Sequence, residues 1–518
     1  MKPIALTTMA AGLALTLQAI AVPSEAKEFT WAGTTDPQTM DPHAVNAAPV
    51  LGFLNNIYEG LVRRGPDMSI EPALAVSWEP IGEGEGWRFH LREGVRFHGG
   101  ESFTADDVIF SYERASSEEA DTRSWFAPVS RVEKVDDFTV DIFTTNPNPI
   151  FPDSIANWMI MDAEWAAANG VERPQATETN FATLNANGTG AYTLVERQPG
   201  FQTVLARFDD WWDEAPGNVT TATFRPVQSD ATRVAALLTG EVDMITPVPI
   251  QDAARVEAAD GLDVIRGIEA RVIMLGFDQN EEDDIFHTAA VREAVAHAVD
   301  VPAILRAIMR GSAASVNQLV SPAMRGYSAA GVERPATDPQ KAKALLAEAA
   351  YPDGIEIEFK CPNDRYLNDE SVCQAVTAML AKAGITANLE TMPVRNYFTE
   401  MRENVSDLYL LGWSPGTFDH EHPIRFLMAT PNDEKKLGSW NFGGYSNGRV
   451  DELLPLIQSE IDDGKRQAMI DEVVQITQRE NAYVPLYVQP LVWAAKSDID
   501  LVQRPDDFLI LRWVTRQN

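Results

Sequence analysis

The chain has 518 residues, 45% hydrophobic and 23% charged, a globular composition with material for more than one core and, by length, about three domains. Its formal net charge is -34, from 42 Lys and Arg against 76 Asp and Glu. So acidic a protein is a poor partner for nucleic acid or anionic lipid; the charge reads as a solubilising surface, and a saline habitat would also account for it.

The first element is a processing segment. Lys2 is the one early positive charge, Ile4 to Val22 is apolar apart from Thr and Gln18, and Ser24-Glu25-Ala26 offers small residues around a cleavage site. This pattern is that of a secretory signal peptide over residues 1–26, cut after Ala26. No cysteine lies near it to take a lipid, and no later run is long and apolar enough to span a membrane. The expected location is the periplasm.

Phe29 to Thr35 reads as a first strand, followed by the polar, turn-rich loop DPQTMDPHAVNAAP. Leu51, Leu54, Ile57, Tyr58 and Leu61 recur at helical spacing. Trp87, Phe89 and Leu91 alternate with Arg88 and His90 as in a half-buried strand; Gly94 breaks the run and Val95 and Phe97 resume it, which predicts a hairpin-like pair. A helix should start at once. Thr104 is a good N-cap with Asp107 three residues on, and Phe103 and Val108 are placed as a hydrophobic staple. Val132 to Phe143 alternates again, and Val272 to Phe277 is an apolar strand.

Beyond this point helices and strands alternate. Val291 to Val299 forms one apolar helical face, Asp300 and Asp338 open further helices, and Ile355 to Phe359 is a strand. Val372 to Leu380 is a helix stopped by Gly384, then Ile385 to Leu389 and Leu408 to Trp413 are strands. Such alternation predicts a mixed, largely parallel sheet.

Leu91 to Arg114, LREGVRFHGGESFTADDVIFSYER, resembles the signature of the family 5 extracellular solute-binding proteins, the dipeptide-, oligopeptide- and nickel-binding components of ABC importers. PALAVSWEP at Pro72, GTGAYTLVE at Gly188 and the helix followed by Gly240-Glu241-Val242-Asp243 are similar to further markers of that family. The resemblance covers essentially the whole mature chain. It implies an α/β, two-lobed periplasmic binding protein of the large three-subdomain form, with mixed sheets and a hinge. Residues 27–66, 188–276 and 486–518 would form the core of lobe one, 67–187 its extra subdomain and 277–485 lobe two, with crossings near Phe277 and near Pro485. The implied function is a monomeric receptor, not an enzyme and without a cofactor. It would capture a peptide or related solute between its lobes and deliver it to the membrane permease subunits of an ABC importer. A nickel-chelate receptor of the same family and an exported hydrolase are the alternatives.

Several motifs in the chain also carry chemistry. Gly412-Trp413-Ser414-Pro415-Gly416 fits G-x-S-x-G, but the residue after an elbow serine must give its N–H to the oxyanion, and Pro415 has none. His420-Glu421-His422 is not H-E-x-x-H, so its imidazoles do not stack on one helical face. The nickel branch places a histidine after the matching tryptophan, and His420 is the candidate for that role. Asp278 to Asp284, DQNEEDD, lacks the spacing of a calcium loop. The two cysteines, Cys361 and Cys373, are expected to be bridged after export, the other reading being two buried thiols.

The resemblance also points to four cleft-lining segments. Asn46 and Ala47 would meet ligand backbone, and Arg123 and Trp125 would stand where the nickel branch uses an arginine and a tryptophan. Arg365 lies near a carboxylate-binding arginine of dipeptide binders, and Trp413, with Ser414, Phe418 and Asp419, matches a pocket tryptophan and its loop. Peptide binders carry an aspartate for the ligand's α-amino group where this chain has Gly416, with Asp419 as the nearest substitute. The expected ligand is therefore an anionic or carboxylate-bearing solute, such as a short or modified peptide.

Overall fold

The computed structural model describes residues 27–82, 84–175, 179–403, 405–432 and 434–517. The signal-peptide expectation falls on residues outside this set.

The backbone of the molecule is an 11-stranded mixed sheet. Two long strands, Leu262–Phe277 and Tyr483–Lys496, lie side by side at its centre and run antiparallel. On one side the sheet continues through Met244–Ile245, Glu28–Gly33, Thr221–Pro226, Gln202–Arg207 and Tyr192–Gln198. On the other it continues through Leu408–Trp413, Ile355–Pro362 and Ile385–Met392. The last three pair in parallel, as the helix–strand alternation predicts, because Asp369–Lys382 crosses over between two of them. Leu408–Trp413 is buried at all six positions, as a central strand covered on both faces must be.

The pairing of the two long strands shifts register at a bulge between Ile273 and Met274 and, over a wider break, between Ile268 opposite Pro490 and Val272 opposite Val488. The strand halves on either side of that break belong to different ends of the sheet. Glu269, Ala270 and Arg271 span the gap.

A separate four-stranded antiparallel sheet has the order Ala75–Ile81, Gly86–Leu91, Thr139–Thr144, Val129–Asp136. Here the expected hairpin is corrected. The strand Gly86–Leu91 pairs with Ala75–Ile81 and with Thr139–Thr144, not with Val95 and Phe97. Val95 and Phe97 are buried, but in a tight loop closed by Phe103 N–H to the Val95 carbonyl and Phe97 N–H to the Glu101 carbonyl. Alternation reported burial correctly and could not report the partner.

The helix Ala105–Ala115 forms as expected. Asp106 N–H donates to Thr104 Oγ1 at 3.3 Å and Thr104 N–H to Asp107 Oδ2 at 2.9 Å, while Phe103 and Val108 are both buried. The helix at Ala48–Leu54 is shorter than the spacing suggested. The backbone carbonyls of Asn56 and Ile57 are taken by Tyr192 N–H and Gly190 N–H, and a Cβ at Gly190 would lie 2.7 Å from the Ile57 oxygen. Tertiary pairing replaces helix there.

Cys361, in the strand Ile355–Pro362, is bridged to Cys373, in the helix Asp369–Lys382, with Cα atoms 6.5 Å apart. Both are fully buried.

Thr104→Ala should cost about 0.5–2 kcal/mol of stability in denaturant unfolding and leave ligand affinity unchanged. Reducing the Cys361–Cys373 bridge, which closes a short loop, should cost about 2–4 kcal/mol. Thiol labelling of the unreduced, denatured protein should find no free thiol.

Candidate functional site

A cavity of about 1890 Å³ is lined by Asn46, Arg123 and Trp125, by Glu269 and Arg271 at the pairing break, and by the loop after Trp413. It exceeds the ~300–1,000 Å³ of ordinary small-molecule sites. A separate, much smaller cavity of about 230 Å³ opens beside Arg334 and Gln478 within lobe two.

Lobe one contributes the loop before Ala48 and the short helix Arg123–Phe126. That loop is anchored by a buried charge cluster. Arg114 forks onto the Asp41 carboxylate at 2.7 and 2.5 Å and donates to His43 Nδ1 at 3.0 Å, so His43 Nε2 donates to the Met159 carbonyl at 2.9 Å. Burial, then the nearby Arg114 charge, hold the His43 pKa down at about 4, so its imidazole stays neutral. Asn46 N–H donates to Asp121 Oδ2 at 2.7 Å and ties the loop to the segment before Arg123. Asn46, Arg123 and Trp125 line the cavity; Ala47 does not, and instead caps the helix Ala48–Leu54 with its carbonyl.

The crossing strands contribute Glu269 and Arg271, paired at 3.1 Å, with Gln489 Nε2 donating to Glu269 at 2.6 Å. Neither was singled out from the sequence. The E-A-R run sits inside a strand pattern, and only the pairing break turns it toward the cavity.

Lobe two contributes the loop after Trp413. Ser414, Gly416, Thr417, Phe418, His422 and Arg425 line the cavity. Phe418 adopts a left-handed φ of 56°. Its ring lies 4.5 Å from the guanidinium of Arg64 in lobe one, which also donates to the Thr417 carbonyl at 3.0 Å. Arg325 of lobe two reaches Asp153 of lobe one at 3.0 Å. These contacts join the lobes at one edge of the cavity.

Four expected site residues lie elsewhere. Arg365 is exposed, with its guanidinium 5.3 Å from the Tyr366 ring, and does not line the cavity. Asp419 is fully buried, gripped at both oxygens by Arg466 at 2.8 and 2.7 Å, so no ligand amine reaches it. His420 is also fully buried, its Nδ1 donating to the Gly326 carbonyl at 2.8 Å, and burial holds its pKa down at about 4. No group of three or more His, Cys, Asp and Glu among the described residues is placed to hold a metal ion. Trp413 lies behind the cavity wall. Its ring packs 5.3 Å from His422, 5.7 Å from Phe426 and 5.6 Å from Trp440, and its indole Nε1–H donates to His422 Nδ1 at 3.2 Å.

Of the H-E-H cluster, Glu421 and His422 line the cavity and His420 does not. Burial, with the Arg425 charge beside it, lowers the His422 pKa to about 3 and keeps the ring neutral. Arg425 pairs with Glu421 at 3.0 Å.

Residues 69–434 match the model of the bacterial extracellular solute-binding proteins, family 5 (middle region). The chain is 26% identical over 485 residues to the glutathione-binding protein GsiB of Salmonella paratyphi A, covering 92% of this chain and 91% of that protein. Among solved structures, HbpA2 from Haemophilus parasuis superposes with a TM-score of 0.84 at 23% identity, over 95% of this chain and 100% of the other. DppA from Helicobacter pylori, in complex with the peptide STSA, superposes at 0.75 with 22% identity, over 95% and 98%. At these identities the two structures speak for the fold alone.

Asp419→Asn leaves Arg466 buried without its counter-charge and should destabilise the protein by about 3–5 kcal/mol in denaturant unfolding. A selective loss of affinity at unchanged stability would contradict this placement.

Proposed function

Since this chain belongs to the bacterial extracellular solute-binding proteins of family 5, we propose that it is the periplasmic receptor of an ABC importer for a carboxylate-bearing peptide or peptide-like solute. It encloses that solute between its lobes and hands it to the permease subunits as a monomer. The observation that carries this reading is the interlobe cavity. Guanidinium groups face it from lobe one at Arg123, from the crossing strands at Arg271 and from lobe two at Arg425. A ligand held by groups of both lobes stabilises their closure. Arg271 and Arg425 already have carboxylate partners, so a ligand carboxylate joins existing pairs; Arg123 is exposed and offers its charge directly. The volume suits an extended peptide, whose backbone groups provide affinity. The relatives named as glutathione-binding make a small, acidic tripeptide a natural first candidate.

The lobe division proposed starts from the one drawn from the sequence, with 27–66, 188–276 and 486–518 in the core of lobe one, 67–187 its extra subdomain and 277–485 in lobe two. The pairing break supports moving the crossings to 268–272 and 488–490. The nickel reading has less support, because His420 is sealed inside lobe two.

Native mass spectrometry of freshly purified protein should show a retained small solute. In thermal-shift screening, glutathione or trialanine at 100 times Kd should add about 2.7 kcal/mol of stability, and nickel–histidine none. Stabilisation by nickel–histidine with no response to any peptide would overturn the assignment.

A further inference from the structure

His422 stands at the cavity wall with one ring nitrogen committed and the other free to act. Nδ1 accepts the Trp413 indole N–H at 3.2 Å. An imidazole that accepts at Nδ1 and is neutral must carry its proton on Nε2. The neighbouring chain leaves room in front of that nitrogen. At Gly416, His422 Nε2 is the one atom within 4 Å of where a Cβ would sit, at 3.7 Å. Both residues line the cavity. A ligand therefore approaches Nε2 across the bare backbone of Gly416. Arg425, three residues on, lies on the same wall together with Glu421, to which it is paired.

We infer that His422 is a ligand-binding residue that donates its Nε2–H to an oxygen of the solute, a carboxylate or an acyl carbonyl, and that Trp413 is the positioning residue that fixes this tautomer. The inference rests on the peptide-receptor reading above and deepens it. A neutral donor selects for an acceptor at this place and against an ammonium group, which has no acceptor to offer. Selectivity comes from the mismatch: an ammonium placed against Nε2–H would leave two donors facing each other without a partner. Trp413 matters although it does not line the cavity, because removing its N–H releases His422 to hold its proton on either nitrogen.

The test uses the full mature protein, with calorimetry against reduced glutathione, trialanine, N-acetyl-trialanine and trialanine amide. One hydrogen bond is worth up to a factor of about ten in Kd. For whichever probe binds, His422→Phe and Trp413→Phe should weaken Kd by about tenfold, and His422→Gln, which keeps a donor, by less. Gly416→Val should weaken it at unchanged melting temperature, by covering Nε2. Loss of affinity on amidation assigns the acceptor as carboxylate; a gain on acetylation assigns it as acyl carbonyl. Long-range ¹H–¹⁵N spectra of the free protein should show His422 with its proton on Nε2, a state that Trp413→Phe mixes. A proton found on Nδ1, or all four variants within twofold of wild type, overturns the inference and leaves the receptor reading standing. Failure of every peptide to bind the wild type overturns both.

Discussion

The structure depends on the antiparallel pairing of Leu262–Phe277 with Tyr483–Lys496. These two strands, of 16 and 14 residues, sit at the centre of the large sheet and join its two sides. The widest break in their ladder, between Ile268 and Val272, lies at the cavity. Interrupting a ladder frees backbone groups that must find other partners. Ala270 N–H finds the Pro505 carbonyl at 2.8 Å, and the side chains on either side, Glu269 and Arg271, pair with each other. The interruption is a satisfied feature. A few residues at the ends of regular elements are where hinge motions concentrate.

Around this axis the cavity walls are set by buried charge clusters, of which Asp153 also lines the cavity. Asp41, Arg114 and His43 hold the lobe-one loop. Asp419 and Arg466 hold the loop that carries Phe418 and His422. Asp153 lies between Arg64 and Arg325; burial pushes its carboxyl above the usual range, and the two guanidinium groups pull it back. Groups of this kind are costly to bury and costlier to leave unpaired, so each fixes its loop to a single position. The ligand-facing groups are, by contrast, incompletely engaged.

Periodicity and local chemistry located most elements well. Leu408–Trp413 appears with the expected bounds, Thr104 and Asp107 form their capping box, and Asp300 and Asp338 cap their helices. These signals are short-range, so they survive in a single sequence. The failures involve partners distant in the chain. Val95 and Phe97 are buried as their alternation implies, yet the neighbours of Gly86–Leu91 come from Ala75–Ile81 and Thr139–Thr144. In the site, Asn46, Arg123, Trp125, Ser414 and Phe418 do line the cavity, while Ala47, Arg365, Trp413 and Asp419 do not. Residue type identified the right loops, and the direction of each side chain was invisible.

The sequence by itself determined an acidic α/β protein of a recognisable family, its helix caps, and a tryptophan-led loop at a strand end. These follow from composition, short-range periodicity and motif. The tertiary structure decided which charges are spent. Arg466, 47 residues beyond Asp419, consumes that carboxylate, and Gly326 takes up His420. Trp413 does not line the cavity and donates its indole N–H to His422, which does. Whether a polar group is free to bind depends on which partners the fold brings within about 3 Å, and the linear chain does not record that distance.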